Sequence, residues 1–144
     1  MNLETSKKIL RIAGILSIVG AVFMFALSAI AIIGGKTVGS DPAIETNQEL
    51  QQTVAKAFVG SVLFIFVGVA GLIEGIVSYL AGKTGKKGLA TAAMLFAVLT
   101  SANSISNLFK SSGVASNIAS QLLSIAISLV TLYAAYVVRK AAEA

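Results

Sequence analysis

The sequence predicts an all-α integral membrane protein: four transmembrane helices in an antiparallel bundle, with the second helix extended on the extracytoplasmic side. Three observations lead to this class. Of the 144 residues, 56% are hydrophobic and only 12% are charged, and the mean hydropathy is +0.90. Soluble domains contain about 45–50% apolar residues, so this chain would have surplus apolar surface in water. The apolar residues also fall into four long runs, and the basic residues collect at the ends of those runs.

The four apolar runs cover residues 12–33, 57–80, 89–109 and 118–138. Each is long enough for a tilted helix to cross the hydrocarbon core, which takes about 20 residues. A membrane β-barrel would show short segments of alternating hydrophobicity, which these runs lack. Because most of the connections are short, we expect neighbouring spans to be antiparallel and to form one domain.

The first run follows a basic start and contains the small-residue pattern "AIA" at residues 29–31, which resembles a signal-peptide cleavage site. The apolar core of a cleavable signal has about 7–15 residues, and this run is longer. We therefore expect the first run to be a retained span.

The connection at residues 34–56 carries a helix start signal. Ser40 or Asp41 is a suitable N-cap, and Pro42 fits the first helical position. Neither Gly nor Pro interrupts residues 43–59. We expect the second helix to begin near Pro42 and to enter the bilayer with little or no break, giving a helix of roughly 60 Å.

The lysines and arginines predict an orientation. Eight fall on one side of the four spans: Lys7, Lys8, Arg11, Lys83, Lys86, Lys87, Arg139 and Lys140. Three fall on the other: Lys36, Lys56 and Lys110. By the positive-inside rule, both termini and the loop at residues 81–88 should be cytoplasmic. The same lysines should attract anionic lipid headgroups.

The loop "GKTGKKG" at residues 82–88 ends like a phosphate-binding loop, as does "GGKTVG" after the first run. The phosphate motif G-x-x-x-x-G-K-[ST] needs an earlier glycine and must join a strand to a helix. The required positions are occupied by Val77 and Ile30. We therefore expect no nucleotide binding, and we expect Gly82 and Gly85 to end the second helix and turn the chain.

Several functional classes are excluded by composition. The chain has no cysteine and no histidine, which removes disulfides, thiolate nucleophiles, imidazole bases and His or Cys metal ligands. It also lacks G-x-S-x-G and H-E-x-x-H motifs. The net charge is +5, but the basic residues do not form the stripe typical of nucleic-acid binding. We expect no catalytic residues, no metal, no cofactor and no nucleic acid.

Glu74 is the only acidic residue inside an apolar run, roughly 13 Å along the helix from Lys83. A carboxylate at that depth is costly and marks a candidate ion or proton site. The structural alternative is a hydrogen-bonding or ion-pairing role, with candidate partners Arg11, Ser78, Tyr133 and Tyr136. The sequence leaves both interpretations open.

Small residues recur at helical spacing on one face of the second span, including Gly68, Gly71 and Gly75. The first span has a similar face. Such faces let helix backbones approach closely. We expect the first span to pack against the second, or either span to pack against another copy.

Polar residues line the outer halves of the last two spans: Thr100, Asn103, Ser104 and Asn107 on the third, and Asn117, Ser120, Gln121 and Ser124 on the fourth. A hairpin folded about residue 112 predicts four facing pairs: Asn107 with Asn117, Ser104 with Ser120, Asn103 with Gln121, and Thr100 with Ser124. As interhelical hydrogen bonds, such pairs contribute about 0.6 kcal/mol each. The alternative is a polar cavity or an oligomeric pore.

The four-span plan resembles that of many small bacterial membrane proteins and, more distantly, that of claudin-like proteins. The extracellular Trp and paired Cys of claudins are missing, so no residue roles transfer. The resemblance favours a bacterial inner or plasma membrane. We predict a structural or accessory membrane protein that acts by helix packing and oligomerisation, with itself or with a membrane-protein partner. The alternative is an oligomeric channel or small transporter with a polar path through Glu74 and the seam between the third and fourth spans.

Overall fold

The computed structural model describes residues 1–110 and 115–144. The helices in chain order are α1 (Leu3–Gly39), α2 (Pro42–Glu45), α3 (Gln48–Thr84), α4 (Lys87–Lys110) and α5 (Ala115–Ala141). The described residues contain no β-strand, and four of the helices are long and apolar enough to cross a membrane. The prediction of an all-helical chain with four such helices is confirmed. The turn predicted about residue 112 lies outside the described residues.

Helix α1 extends beyond the first apolar run at both ends. Asn2 caps its start, because the Asn2 Oδ1 accepts a hydrogen bond of 2.8 Å from the Thr5 amide. At its other end α1 continues through Gly34 to Gly39, six residues beyond the first apolar run. A glycine weakens a helix by about 1 kcal/mol relative to alanine without ending it. The stronger barrier is Pro42, whose ring disfavours helical geometry at the preceding residue.

The expected continuous helix from Pro42 is interrupted. Helix α2 does begin at Pro42, but it ends at Glu45, and α3 begins only at Gln48. Asn47 caps the new helix: its Oδ1 accepts hydrogen bonds from the amides of Glu49 at 3.1 Å and Leu50 at 3.4 Å. An asparagine that bonds to nearby amides competes with the helical backbone, which explains the break.

The turn between α3 and α4 consists of Gly85 and Lys86, and Gly85 reverses the chain direction. Its φ of 68° lies in the left-handed region, and its amide donates to the Ala81 carbonyl at 2.9 Å, as in a common helix C-cap. Gly82, which we expected to help end the helix, lies inside α3 instead. A Cβ at Gly82 would lie 2.5 Å from the Lys7 carbonyl oxygen, so this glycine permits close contact with α1.

The chain divides into two compact units, and the first consists of residues Met1–Leu16 and Glu74–Ala144. Its core cluster joins all four helices that contribute to this unit: Leu10, Ala81, Ala90, Ala93, Ala134, Ala135 and Val138. Most of these side chains are alanine methyl groups. Small side chains allow the helix backbones to approach closely, and this contact is the main attraction between helices that share a lipid environment.

The second unit, residues Ser17–Ile73, contains the C-terminal part of α1, all of α2 and most of α3. The Ser17 hydroxyl donates to the Gly71 carbonyl at 2.8 Å. The ring of Phe25 covers Gly68, with a ring carbon 3.0 Å from the position of a Cβ on that glycine. The small-residue face of α3 therefore packs against α1 of the same chain.

The distribution of side chains is the reverse of that in a water-soluble protein. The buried residues are mainly Ala and Ser, whereas large apolar side chains lie on the outside, among them Ile30 at 67%, Phe66 at 68% and Phe109 at 84% exposure. An apolar surface of this extent is expected where the surroundings are hydrocarbon.

Candidate functional site

Glu74 and Thr100 meet in the first unit. Glu74 lies on α3 ten residues before its last residue, Thr84, and its side chain is half-buried. The Thr100 hydroxyl, on α4, donates a hydrogen bond of 3.2 Å to the Glu74 Oε2. Within the described part of the chain this is the one hydrogen bond of the carboxyl group. The contact joins two residues that the sequence had placed in separate candidate sites.

The sequence suggested four other partners for Glu74: Arg11, Ser78, Tyr133 and Tyr136. The Arg11 Nε donates to the Gly82 carbonyl at 3.2 Å, about 12 Å along α3 from Glu74. Tyr133 and Tyr136 are 53% and 47% exposed on α5. Ser78 is buried one turn away on the same helix. Among the described residues, none of these four forms an ion pair or hydrogen bond with Glu74, and the observed partner is Thr100 instead.

The pairing of α4 with α5 differs from the predicted pairing by one helical turn. The Ser104 and Ser124 hydroxyls are 2.8 Å apart and share a hydrogen bond, whereas the prediction paired Ser104 with Ser120. Ser120 is exposed and donates instead to the Asn117 carbonyl of its own helix at 2.9 Å. In the observed pairing, Asn107 is level with Gln121.

The core explains this shift. The predicted pairing was obtained by counting residues outward from an assumed turn. Such a count ignores how well the side chains at each position pack. The observed register instead brings the alanines of α4 at positions 90 and 93 together with Ala134, Ala135 and Val138 of α5. Packing of these small residues determines the pairing of the two helices over their whole length.

Three polar residues follow one another along a single side of α4, and we call them the polar stripe: Thr100, Asn103 and Asn107. Their spacing of three and four residues places them on one helix face, over about 10 Å of helix length. Thr100 and Asn107 are half-buried, and Asn103 is exposed. The side chains of Asn103 and Asn107 form no hydrogen bond with any described residue. The stripe leads from Glu74 towards the Lys110 end of α4.

An ion-pair cluster lies near the start of α4 and the end of α5, away from the Lys110 end of α4. The Glu143 Oε1 lies 2.9 Å from the Lys87 Nζ and 3.4 Å from the Arg139 Nε. The hydrogen bond from Lys87 and its positive charge, followed by the charge of Arg139, hold the pKa of the Glu143 carboxyl below its ordinary value. The resulting stabilisation is complete above the ordinary carboxyl pKa and is lost as the pH falls through the lowered pKa.

Sequence reasoning found the polar residues but not their contacts. It placed Thr100 opposite Ser124, on the α5 side of α4. In fact, Thr100 lies on the side that meets α3. A helical projection of α4 could have indicated this, since Thr100 lies off the line of buried residues Ala93, Ala97, Ser101 and Ser104.

The fold and the site define a class. An all-helical chain with four long apolar helices, a core of small residues and an apolar exterior is consistent with a membrane protein. Comparison of the sequence and structure with protein-family models, with curated proteins and with solved structures gave no match.

Proposed function

We propose that this protein is an integral membrane component without catalytic machinery, which acts by associating with a second copy of itself. Its four long helices span the membrane, with both termini and the Gly85 turn in the cytoplasm. The basic residues at that end contact anionic lipid headgroups. The single observation that carries the proposal is the exposed and unbonded amide of Asn103 on α4.

The small-residue face of α3 is not the surface at which two copies associate. The sequence allowed Gly68, Gly71 and Gly75 to pack against another copy. However, Gly68 is covered by Phe25, and the Gly71 carbonyl accepts a hydrogen bond from Ser17. Gly75 is buried, and its carbonyl lies beside Gly14 of α1. Because these contacts occupy the face within one chain, a contact between copies must use another surface.

The outer half of α4 offers such a surface. Asn103 is exposed there, and Leu99, one turn away on the same helix face, is 64% exposed. In hydrocarbon an amide without a hydrogen bond is costly, so a partner that bonds to it is favoured. Leu99 would supply apolar contact beside it.

A second copy of the chain fits this surface because an amide is its own complement. Each Asn side chain has two N–H donors and one carbonyl acceptor. In a two-fold symmetric dimer the same residue of both copies meets at the axis, so two Asn103 side chains can bond to each other. A single intramembrane Asn often fixes helix association in this way.

Substitution of Asn103 tests the proposal. We expect Asn103→Leu to weaken dimerisation by about 1 kcal/mol, or roughly fivefold, because one interhelical amide pair is lost. The measurement is energy transfer between labelled copies in lipid vesicles, titrated by lipid dilution. As a matched control, Ser120→Leu makes the same polar-to-apolar change on α5, where the hydroxyl already bonds to its own helix. Unchanged association in Asn103→Leu, or a parent protein that stays monomeric at every dilution, would refute the proposal.

A second candidate function is a small channel or transporter, and the contact between Glu74 and Thr100 favours it. That contact joins the one acidic group of the spans to the polar stripe on α4. We expect Glu74→Gln to abolish any ion flux in proteoliposomes while leaving dimerisation intact. Equal flux in parent and variant, or no flux in the parent, would remove this candidate and leave the first unaffected.

A further inference from the structure

We propose that Glu74 is a reversible proton-binding site, which protons reach from the Lys110 end of α4 along the polar stripe. The inference deepens the second candidate function by naming the bound species, and it concerns binding, which can be measured without flux. The chemistry is a single protonation. The carboxylate gains one proton and becomes a neutral carboxylic acid, and no other bond forms or breaks.

The ligands around Glu74 suit a proton better than a metal ion. Metal cations such as Ca²⁺ are held by six or more oxygens, commonly from several carboxylates. Among the described residues, no group of three or more acidic side chains lies together, and Glu74 has one side-chain hydrogen-bond partner, Thr100. A proton needs only one carboxyl oxygen.

Thr100 can serve both states of the carboxyl group. A hydroxyl is both a donor and an acceptor, and its hydrogen rotates about the C–O bond. In the observed contact the Thr100 Oγ1 lies 3.2 Å from the Glu74 Oε2 and donates to it. When Glu74 is protonated, the same oxygen can accept the carboxylic acid proton, while the threonine hydrogen turns to a backbone carbonyl. The contact therefore persists through the titration.

The surroundings of Glu74 are asymmetric along the helices. Towards the Lys110 end, Asn103 and Asn107 continue the polar side of α4 and can bind water. Towards the other end, the core cluster lies across the unit, with Leu10, Ala81 and Ala90 fully buried. Close-packed apolar side chains leave no room for water. Proton access is therefore expected from the Lys110 end only.

The other charged and titratable groups of this unit leave Glu74 free to titrate. Helix α4 carries none between Lys87 and Lys110. Tyr79 lies five residues beyond Glu74 on α3, and α1 and α5 carry Arg11, Tyr133 and Tyr136. The Arg11 guanidinium bonds to the Gly82 carbonyl. Neither it nor any of the three tyrosines forms a hydrogen bond or ion pair with the carboxyl group in the described structure.

Infrared spectroscopy of the full chain in lipid vesicles tests the proposal. We expect a carboxylic acid C=O band that is lost in Glu74→Gln and that decreases reversibly as the pH rises. In Thr100→Val, which loses the hydroxyl, the band should shift in frequency. In Thr100→Ser, which keeps it, the band should return to the parent position. If Glu74→Gln does not fold, Glu74→Asp provides the assignment through a shifted band.

The outcomes separate this inference from the second candidate function. A carboxylic acid band whose intensity changes with pH, in a protein that shows no ion flux, would support the proton site and exclude the transporter. Flux without any pH-dependent band at Glu74 would overturn the proton site and leave the transporter. A band that is the same at every pH at which the protein stays folded, or that Thr100→Val leaves in place, would also overturn it.

Discussion

Replacing Gly14 or Gly82 with alanine should destabilise the fold by about 2–3 kcal/mol, although alanine favours helices. A Cβ at Gly14 would lie 2.6 Å from the Gly75 carbonyl oxygen and 2.6 Å from the Tyr79 amide nitrogen. At Gly82 it would lie 2.5 Å from the Lys7 carbonyl oxygen. These neighbours are backbone atoms, so the helices themselves must separate to admit the methyl group. The measurement is the free energy of unfolding in mixed micelles during titration with a denaturing detergent.

Gly20 and Gly60 provide the matched controls for this experiment. They lie on the same two helices, α1 and α3, and apart from the neighbouring backbone of its own helix, no atom of the described residues lies within 4 Å of the position of a Cβ on either glycine. At these sites the change to alanine should stabilise the protein by about 0.5–1 kcal/mol, because alanine restricts the unfolded chain. The two pairs should therefore change stability in opposite directions. Equal effects at all four positions would show that close contact between α1 and α3 is absent.

Leu10→Ala should lower the free energy of unfolding by about 2–4 kcal/mol. Leu10 is fully buried and is the largest side chain of the core cluster, where its neighbours are mainly alanines. Small neighbours on rigid helices cannot move in to fill the space, so the substitution leaves a cavity and removes dispersion contacts.

Leu16→Ala is the control for Leu10→Ala. Leu16 lies on the same helix and is 60% exposed, so the same truncation there should change stability by less than about 0.5 kcal/mol. Thermal unfolding followed by circular dichroism in the same micelles would rank the two variants. A loss at Leu16 as large as that at Leu10 would contradict the assignment of the core.

The helices themselves were predictable from local patterns, and their ends were less so. Apolar runs of about 20 residues identified four long helices. Helix α1 ends at Gly39, six residues beyond the first apolar run, because a helix can continue past the apolar residues that mark a span. The break before α3 was missed because Asn47 was not recognised as a cap. The missed break concerns a side chain whose effect depends on which alternative hydrogen bonds are available.

The candidate site was predicted in part. Sequence reasoning identified Glu74 from its acidity within an apolar run, and it identified Thr100 from the polar outer half of α4. It did not predict that the two would be hydrogen-bonded, because it placed Thr100 opposite α5. The contact of Ser104 with Ser124 was likewise predicted one turn away from its observed position.

What the sequence by itself determined is the class of the protein: composition and the length of the apolar runs define a helical chain suited to a membrane. The tertiary structure decided which polar groups form hydrogen bonds with each other and which glycines lie in a contact between helices. The reason is physical. Hydrophobicity and helix length depend on residues that are close together in the sequence. Helix register depends instead on how small side chains such as Ala93 and Ala134 fit together across an interface. In the second unit, the packing of α3 against α1 places Gly71 in a contact within the chain. In the first unit, Asn103 is exposed on the surface.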